Sequence, residues 1–266
     1  MKKLGIIASI FLLNIFIQSC NTVPVTGRKQ ISLMPEQDLI SYSTINYTQF
    51  IKSSKLSTNR QQTELVKRVG RNISAAVESY LKSKGKEHLL DGYQWEYNLV
   101  DDPTPNAWCM PGGKIVVYTG ILPYTKNEAG LAVVMGHEVA HAVARHGNER
   151  MSQQILVEYG AGALSTFISD KPQETQQLYQ MAFGLGAQYG LMLPYSRLHE
   201  SEADKMGLIF MAIAGYDPHE AIAFWERMSK SGGQKPPEIL STHPSDESRI
   251  QALKEFIPEA MKYYKK

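Results

Sequence analysis

The sequence predicts an α+β domain, mostly helical, in which a small antiparallel sheet lies beside one central helix. Three observations predict it. Apolar residues recur at helical spacing along Gln61–Leu81, Leu131–Ala142 and Leu198–Ala214. Only Tyr93–Val100 and Lys114–Tyr118 have the pattern and length of strands. Both come shortly before the helix that carries His137, Glu138 and His141, so the order strand, turn, strand, helix lets the sheet cover one side of it.

The chain has 266 residues, 43% hydrophobic and 20% charged, which is ordinary globular composition and rules out a disordered or multi-span chain. A formal net charge of +2 offers no basic excess for neutralising phosphates, so no nucleic-acid partner is expected. Lys2 and Lys3 precede an apolar run from Leu4 to Ile17 that has the length of a signal peptide and is short for a full span. Ile17-Gln18-Ser19-Cys20 then resembles a bacterial lipoprotein lipobox, with Gln18 where a smaller residue is usual. The expectation is a signal peptide over residues 1–19, lipidation of Cys20, and a polar membrane tether over 20–34. One domain over 35–266 follows. With Cys20 lipidated only Cys109 is left, so no internal disulfide can form, and Cys109 reads as a small packed hydrophobe.

Scaffold helices are expected over Pro35–Ile51 and Gln61–Leu81, the second with Leu65, Val69, Ile73, Ala76, Val77 and Tyr80 along one stripe. Trp95, Tyr97 and Leu99 alternate with polar residues in the first strand, which the two prolines of 101–106 end. The second strand follows Pro111-Gly112-Gly113. Thr125 and Glu128 read as a capping box for the histidine helix, and Gly147 as its stop. Helical character then continues to about Ile168 and resumes over Glu174–Gln188. There Gly160, Gly162, Gly184, Gly186 and Gly190 mark either close helix packing or a mobile flap. Asp217-Pro218-His219-Glu220 starts a helix to about Ser229, and a last helix begins near Ser245. His88, His146, His199 and His219 read as solvated or structural.

His137-Glu138-Val139-Ala140-His141 carries the chemistry. At about 100° per residue, His137 and His141 share one face one turn apart, so both imidazoles can bind one zinc ion. Glu138 lies to the side, placed to take a proton from water at the open metal position. A catalytic zinc needs a third protein ligand. Glu200 is the preferred candidate because Asp204, one turn later, can accept the free N–H of a ligating imidazole. Glu202, on another face without such a partner, reads as its competitor or as part of a solvated acidic face. Small residues Ala140, Ala144, Ala203 and Gly207 would let the two helices approach.

These segments, His137–His141 with Ser196–Asp204, resemble the gluzincin metallopeptidases of the HtpX, BepA, LoiP and mitochondrial Oma type. Cys20-Asn21, Val25–Arg28, Asn106-Ala107 and Pro111–Gly113 look like the lipoprotein branch, nearest its short LoiP-like form. The resemblance implies a zincin-type domain, zinc at His137, His141 and Glu200, and general-base duty for Glu138. It also implies that Asn106 and Ala107 lie on an edge strand that holds the substrate backbone. Thr242-His243-Pro244, with Arg249 downstream, resembles the family segment whose histidine approaches the metal. His243 then either donates to the developing oxyanion or takes the fourth metal position and holds the enzyme inactive.

The expected function is therefore a zinc endopeptidase of the bacterial envelope that cleaves unfolded or misfolded membrane-associated proteins. Its place would be the periplasmic face, lipid-anchored, with outer-membrane assembly machinery as a candidate partner. The alternatives are an envelope chaperone with a structural zinc and, from the anchor and glycines alone, a lipid-acting zinc hydrolase.

Overall fold

The computed structural model describes residues 20–171, 173–188, 192–230, 243 and 247–265. The signal peptide expected over residues 1–19 lies outside them, as do Thr242 and Pro244. The chain order is β1 (Cys20–Thr22), β2 (Lys29–Ile31), α1 (Glu36–Ser53), α2 (Arg60–Ser83), β3 (Glu96–Val100), β4 (Ala107–Met110) and β5 (Lys114–Tyr118). There follow the single turn α3 (Leu122–Thr125), then α4 (Glu128–Val143), α5 (His146–Phe167), α6 (Gln173–Ala187), α7 (Leu193–Ile213), α8 (Glu220–Lys230) and α9 (Glu247–Ala260). None of the helices among the described residues is long and apolar enough to cross a membrane.

Two compact units emerge, Met1–Pro35 with Arg145–Arg197 and Glu36–Ala144 with Leu198–Lys266. In the first, the stretch expected to be a tether is an antiparallel hairpin, opened by Cys20 and turned through Gly27 at φ +69°. Its polar look hid how it is held. The Arg28 guanidinium forks onto the Glu149 carboxylate at 2.8 and 2.6 Å, Ser152 accepts the Leu33 N–H at 2.8 Å, and Asn148 donates to the Met34 carbonyl at 2.8 Å. The polar face of α5 thus satisfies a backbone with few ladder bonds of its own. Of the glycines, a Cβ built at Gly160 would lie 3.0 Å from the Phe183 ring, and nothing lies within 4 Å of one built at Gly162 or Gly184.

The second unit holds the sheet and the histidine helix. The order is β3-β5-β4, with β5 central. The small sheet is present, but it is mixed rather than wholly antiparallel. β4 pairs antiparallel with β5, from Ala107 opposite Val117 to Met110 opposite Lys114, whereas β3 runs parallel to β5. The reason is β4 itself. Residues 107–110 form a short strand between the two expected ones, and two reversals of direction return β5 to the heading of β3.

Helix α4 is capped by Asn127, whose side chain accepts the Gly130 N–H at 2.8 Å. The expected Thr125 cap is instead buried, its hydroxyl donating to the Leu122 carbonyl at 3.0 Å. The helix stops at Val143 rather than Gly147 because Arg145 takes a left-handed backbone, φ 57° and ψ 33°. Between cap and stop α4 is buried nearly all round, a helix inside the core rather than on it.

Candidate metal centre

Helices α4 and α7 bring the site together where two glycines meet. A Cβ on Gly207 would lie 3.0 Å from the His137 nitrogen and 3.1 Å from the Gly136 carbonyl carbon. Only backbone faces it, so neither helix can yield by a rotamer change. The Gly207→Ala variant should lose about 1–3 kcal/mol of stability and bind metal more weakly, because α7 must move as one rod with Glu200 on it. Urea unfolding and metal titration of the variant check this; wild-type values in both would mean the helices are not held at contact.

That contact places the expected residues as follows. His137 Nε2 lies 3.1 Å from His141 Nε2 and 3.2 Å from Glu200 Oε2, and His141 Nε2 lies 3.3 Å from Glu200 Oε1. His243 joins them, its Nδ1 3.1 Å from His137 Nε2 and 2.9 Å from Glu200 Oε2. One ligand atom from each of the four residues lies within 4.8 Å of all the others. Asp204 Oδ1 accepts from His137 Nδ1 at 2.9 Å.

A metal fits this arrangement on chemical grounds. A proton on His137 Nε2 can point at only one neighbour, yet that atom has two imidazole nitrogens and a carboxylate oxygen within 3.2 Å. A cation between them serves all three contacts at once. Tetrahedral zinc with bonds near 2.05 Å has ligand-to-ligand edges of about 3.3 Å, close to the separations seen here. With Nδ1 committed to Asp204, His137 offers Nε2 inward.

The electrostatics agree. Burial opposes ionisation of Glu200, but hydrogen bonds from His137, His141 and His243 outweigh it and hold its carboxyl far below the usual range. Asp204 is likewise opposed by burial and drawn down by Arg249 and His137. Burial would lower His137, yet Asp204 and Glu200 lift it to about 9, so the pocket draws positive charge to this ring. Glu138 is different. It is 5% exposed, burial raises its pKa, and its Oε1 has no hydrogen-bond partner among the described residues, although His243 Nε2 stands 3.5 Å away. A buried carboxylate oxygen without a donor is suited to receiving a proton.

Asn106 and Ala107 begin the β4 edge. The Tyr118 N–H donates to the Asn106 carbonyl at 3.0 Å, so in the antiparallel ladder Asn106 and Trp108 bond toward β5, while Ala107 and Cys109 turn their backbone groups to the open side, where no strand pairs among the described residues. The Ala107 N–H is already taken by its neighbour's Asn106 Oδ1 at 2.9 Å. The Cys109 thiol is pushed well above its ordinary pKa by burial and by the Glu138 charge, as suits a packed residue rather than a nucleophile.

Two expectations change. Glu202 is buried, not part of a solvated acidic face. Arg249, read only as a feature of the resemblance, lies against the site: its guanidinium binds both Asp204 oxygens, at 2.8 and 2.7 Å, and rests 3.6 Å over the Trp225 ring. No local motif announces either contact. His199 and His146 are buried, and His88 and His219 are exposed.

The sequence model described as Peptidase family M48 matches residues 65–257. The chain is 42% identical over 173 residues to the mitochondrial metalloendopeptidase OMA1 of Schizosaccharomyces pombe, covering 64% of this chain and 49% of that one. Against the Arabidopsis thaliana protein of the same name it is 37% identical over 195 residues, 71% of this chain and 38% of the relative. The beta-barrel assembly-enhancing protease of Escherichia coli is 29% identical over 160 residues, 59% of this chain and 33% of that one. The chain thus spans about half or less of the length of these relatives. The relatives at 30–42% identity are mitochondrial proteins, and this overturns the expected location as a lipid-anchored protein on the periplasmic face of a bacterial outer membrane. Leader and tether, not the helices that resemble the family, carried that expectation, and a shared catalytic fold does not fix an address.

Proposed function

The chain belongs to peptidase family M48, and from that premise we propose that it is a zinc-dependent metalloendopeptidase cleaving protein chains in extended form. The observation that carries the reading is the convergence of two imidazoles and a carboxylate from two helices beside a buried glutamate oxygen that makes no hydrogen bond among the described residues.

His137, His141 and Glu200 would hold the ion, with Asp204 fixing the tautomer of His137. Zinc bound there supplies a Lewis acid for the scissile carbonyl and makes water more acidic. Glu138 then takes a proton from the attacking water and passes it to the leaving amine, so no covalent intermediate with the protein forms. The substrate backbone would lie along β4 as an added strand, meeting the open-side groups of Ala107 and Cys109. His243 stands at the fourth corner, which favours its reading as a blocking ligand that substrate displaces. Unfolded or misfolded membrane-associated proteins fit such a groove, because only an extended chain can add to an edge.

That corner also supports a second reading. A site kept closed by four ligands would serve a chaperone or assembly factor, in keeping with the beta-barrel assembly-enhancing protease of Escherichia coli among the relatives. Metal analysis with casein cleavage separates the two. A single zinc ion per chain, with cleavage abolished by 1,10-phenanthroline and restored by added zinc, is the expected result. Cleavage indifferent to chelator would sink the metallopeptidase reading, and tightly bound zinc with no cleavage would favour the second.

A further inference from the structure

Arg249 ties together two parts of the site that no motif joins. It is largely buried near the start of α9, and its Nε donates to Asp204 Oδ2 at 2.8 Å while one terminal nitrogen donates to Asp204 Oδ1 at 2.7 Å. Its other terminal nitrogen donates to the His243 carbonyl at 3.3 Å and stands 3.5 Å from Glu200 Oε2. The plane rests over Trp225, itself fully buried and 6.0 Å from the His137 ring.

Each contact limits a motion. The two-pronged bond fixes the rotation of the Asp204 carboxylate, and the acceptor lobe of Oδ1 fixes the plane of His137 through its Nδ1. The bond to the His243 backbone fixes how far that ring reaches toward Glu200. Stacking on Trp225 keeps the guanidinium from following solvent. A lysine could supply the charge but not the fork or the flat face.

We infer that Arg249 is a positioning residue that sets, through Asp204 and the His243 carbonyl together, the orientation of His137 and the reach of His243 at the metal. The inference rests on the metallopeptidase reading only in taking this cluster as a metal site.

The test compares wild type, Arg249→Lys, Asp204→Asn and the double variant by chelator-competition affinity for zinc and by the visible spectrum of the cobalt-loaded chains. Arg249→Lys should bind zinc about 10–100-fold more weakly, the range for a partner that orients a ligand, and its cobalt bands should shift. Adding Asp204→Asn should cost little more, since both changes act through His137. A Lys variant with wild-type affinity and spectrum, or fully additive losses, overturns the inference alone. Wild type that takes up no zinc overturns it together with the reading beneath it. Should the Lys variant not fold, as near-UV circular dichroism would show, the unmodified chain still decides. The Arg249 Nε resonance should shift on zinc saturation, and one that stays put rejects the role.

Discussion

Replacing Glu138 by Gln should leave zinc binding intact and abolish peptide cleavage, with kcat lower by about 10²–10⁴-fold, the usual contribution of a positioned proton carrier. Gln has the same shape and fits the same buried place, so α4 keeps its packing. What is lost is the basic oxygen. Among the described residues no hydrogen bond reaches Glu138 Oε1, and burial raises the pKa of the carboxyl. An amide accepts a hydrogen bond there but carries no proton onward. Zinc content by elemental analysis and casein cleavage, measured on one preparation, check this. Ordinary cleavage with full zinc would remove Glu138 from the proposed mechanism, and lost zinc would make it a ligand.

Glu200→Ala should instead empty the site. Glu200 supplies the negative charge on which His137, His141 and His243 converge, within 2.9 to 3.3 Å. Without it the metal faces only neutral imidazoles. A partner that merely orients a ligand accounts for about 10–100-fold in affinity, so loss of a ligand should exceed that, and activity should fall with occupancy. Isothermal titration with zinc measures the affinity directly. A variant that keeps one tightly held zinc would move the third ligand elsewhere, Glu202 being the nearest in sequence. The two replacements separate the roles, one losing the chemistry and keeping the ion, the other losing both.

Much of the layout was legible because it rests on short-range spacing. The interval from His137 to His141 and that from Glu200 to Asp204 each amount to one helical turn, and one turn is what sequence states best. The small residues on both helices, Gly207 among them, foretold their approach, and Gly136 meets Gly207 at the contact. Other features depend on tertiary partners. Thr125 and Glu128 form a sound capping pattern, but Thr125 is used up inside the preceding turn, and Asn127 takes the cap. Arg145 ends the helix by a left-handed backbone that arginine does not advertise. The Ala107–Met110 strand has no alternation to betray it: only the resemblance put Asn106 and Ala107 on an edge strand, and the parallel pairing of β3 and β5 that follows from it is not legible in the pattern. Arg249 was readable as a cation near His243, yet its fork onto Asp204 spans 45 residues and follows from folding alone.

The side of β4 away from β5 carries a hazard as well as the proposed use. Unpaired strand edges recruit other strands, and proteins commonly protect them with charge, proline or a covering segment. Ala-Trp-Cys-Met contains neither charge nor proline. Brevity is one safeguard: at about 3.3 Å per residue, four residues span roughly 13 Å, and one N–H along that length is already capped from within. In the proposed reading such a ledge would hold one extended polypeptide segment at a time, and its shortness would limit pairing with the edge of a second copy.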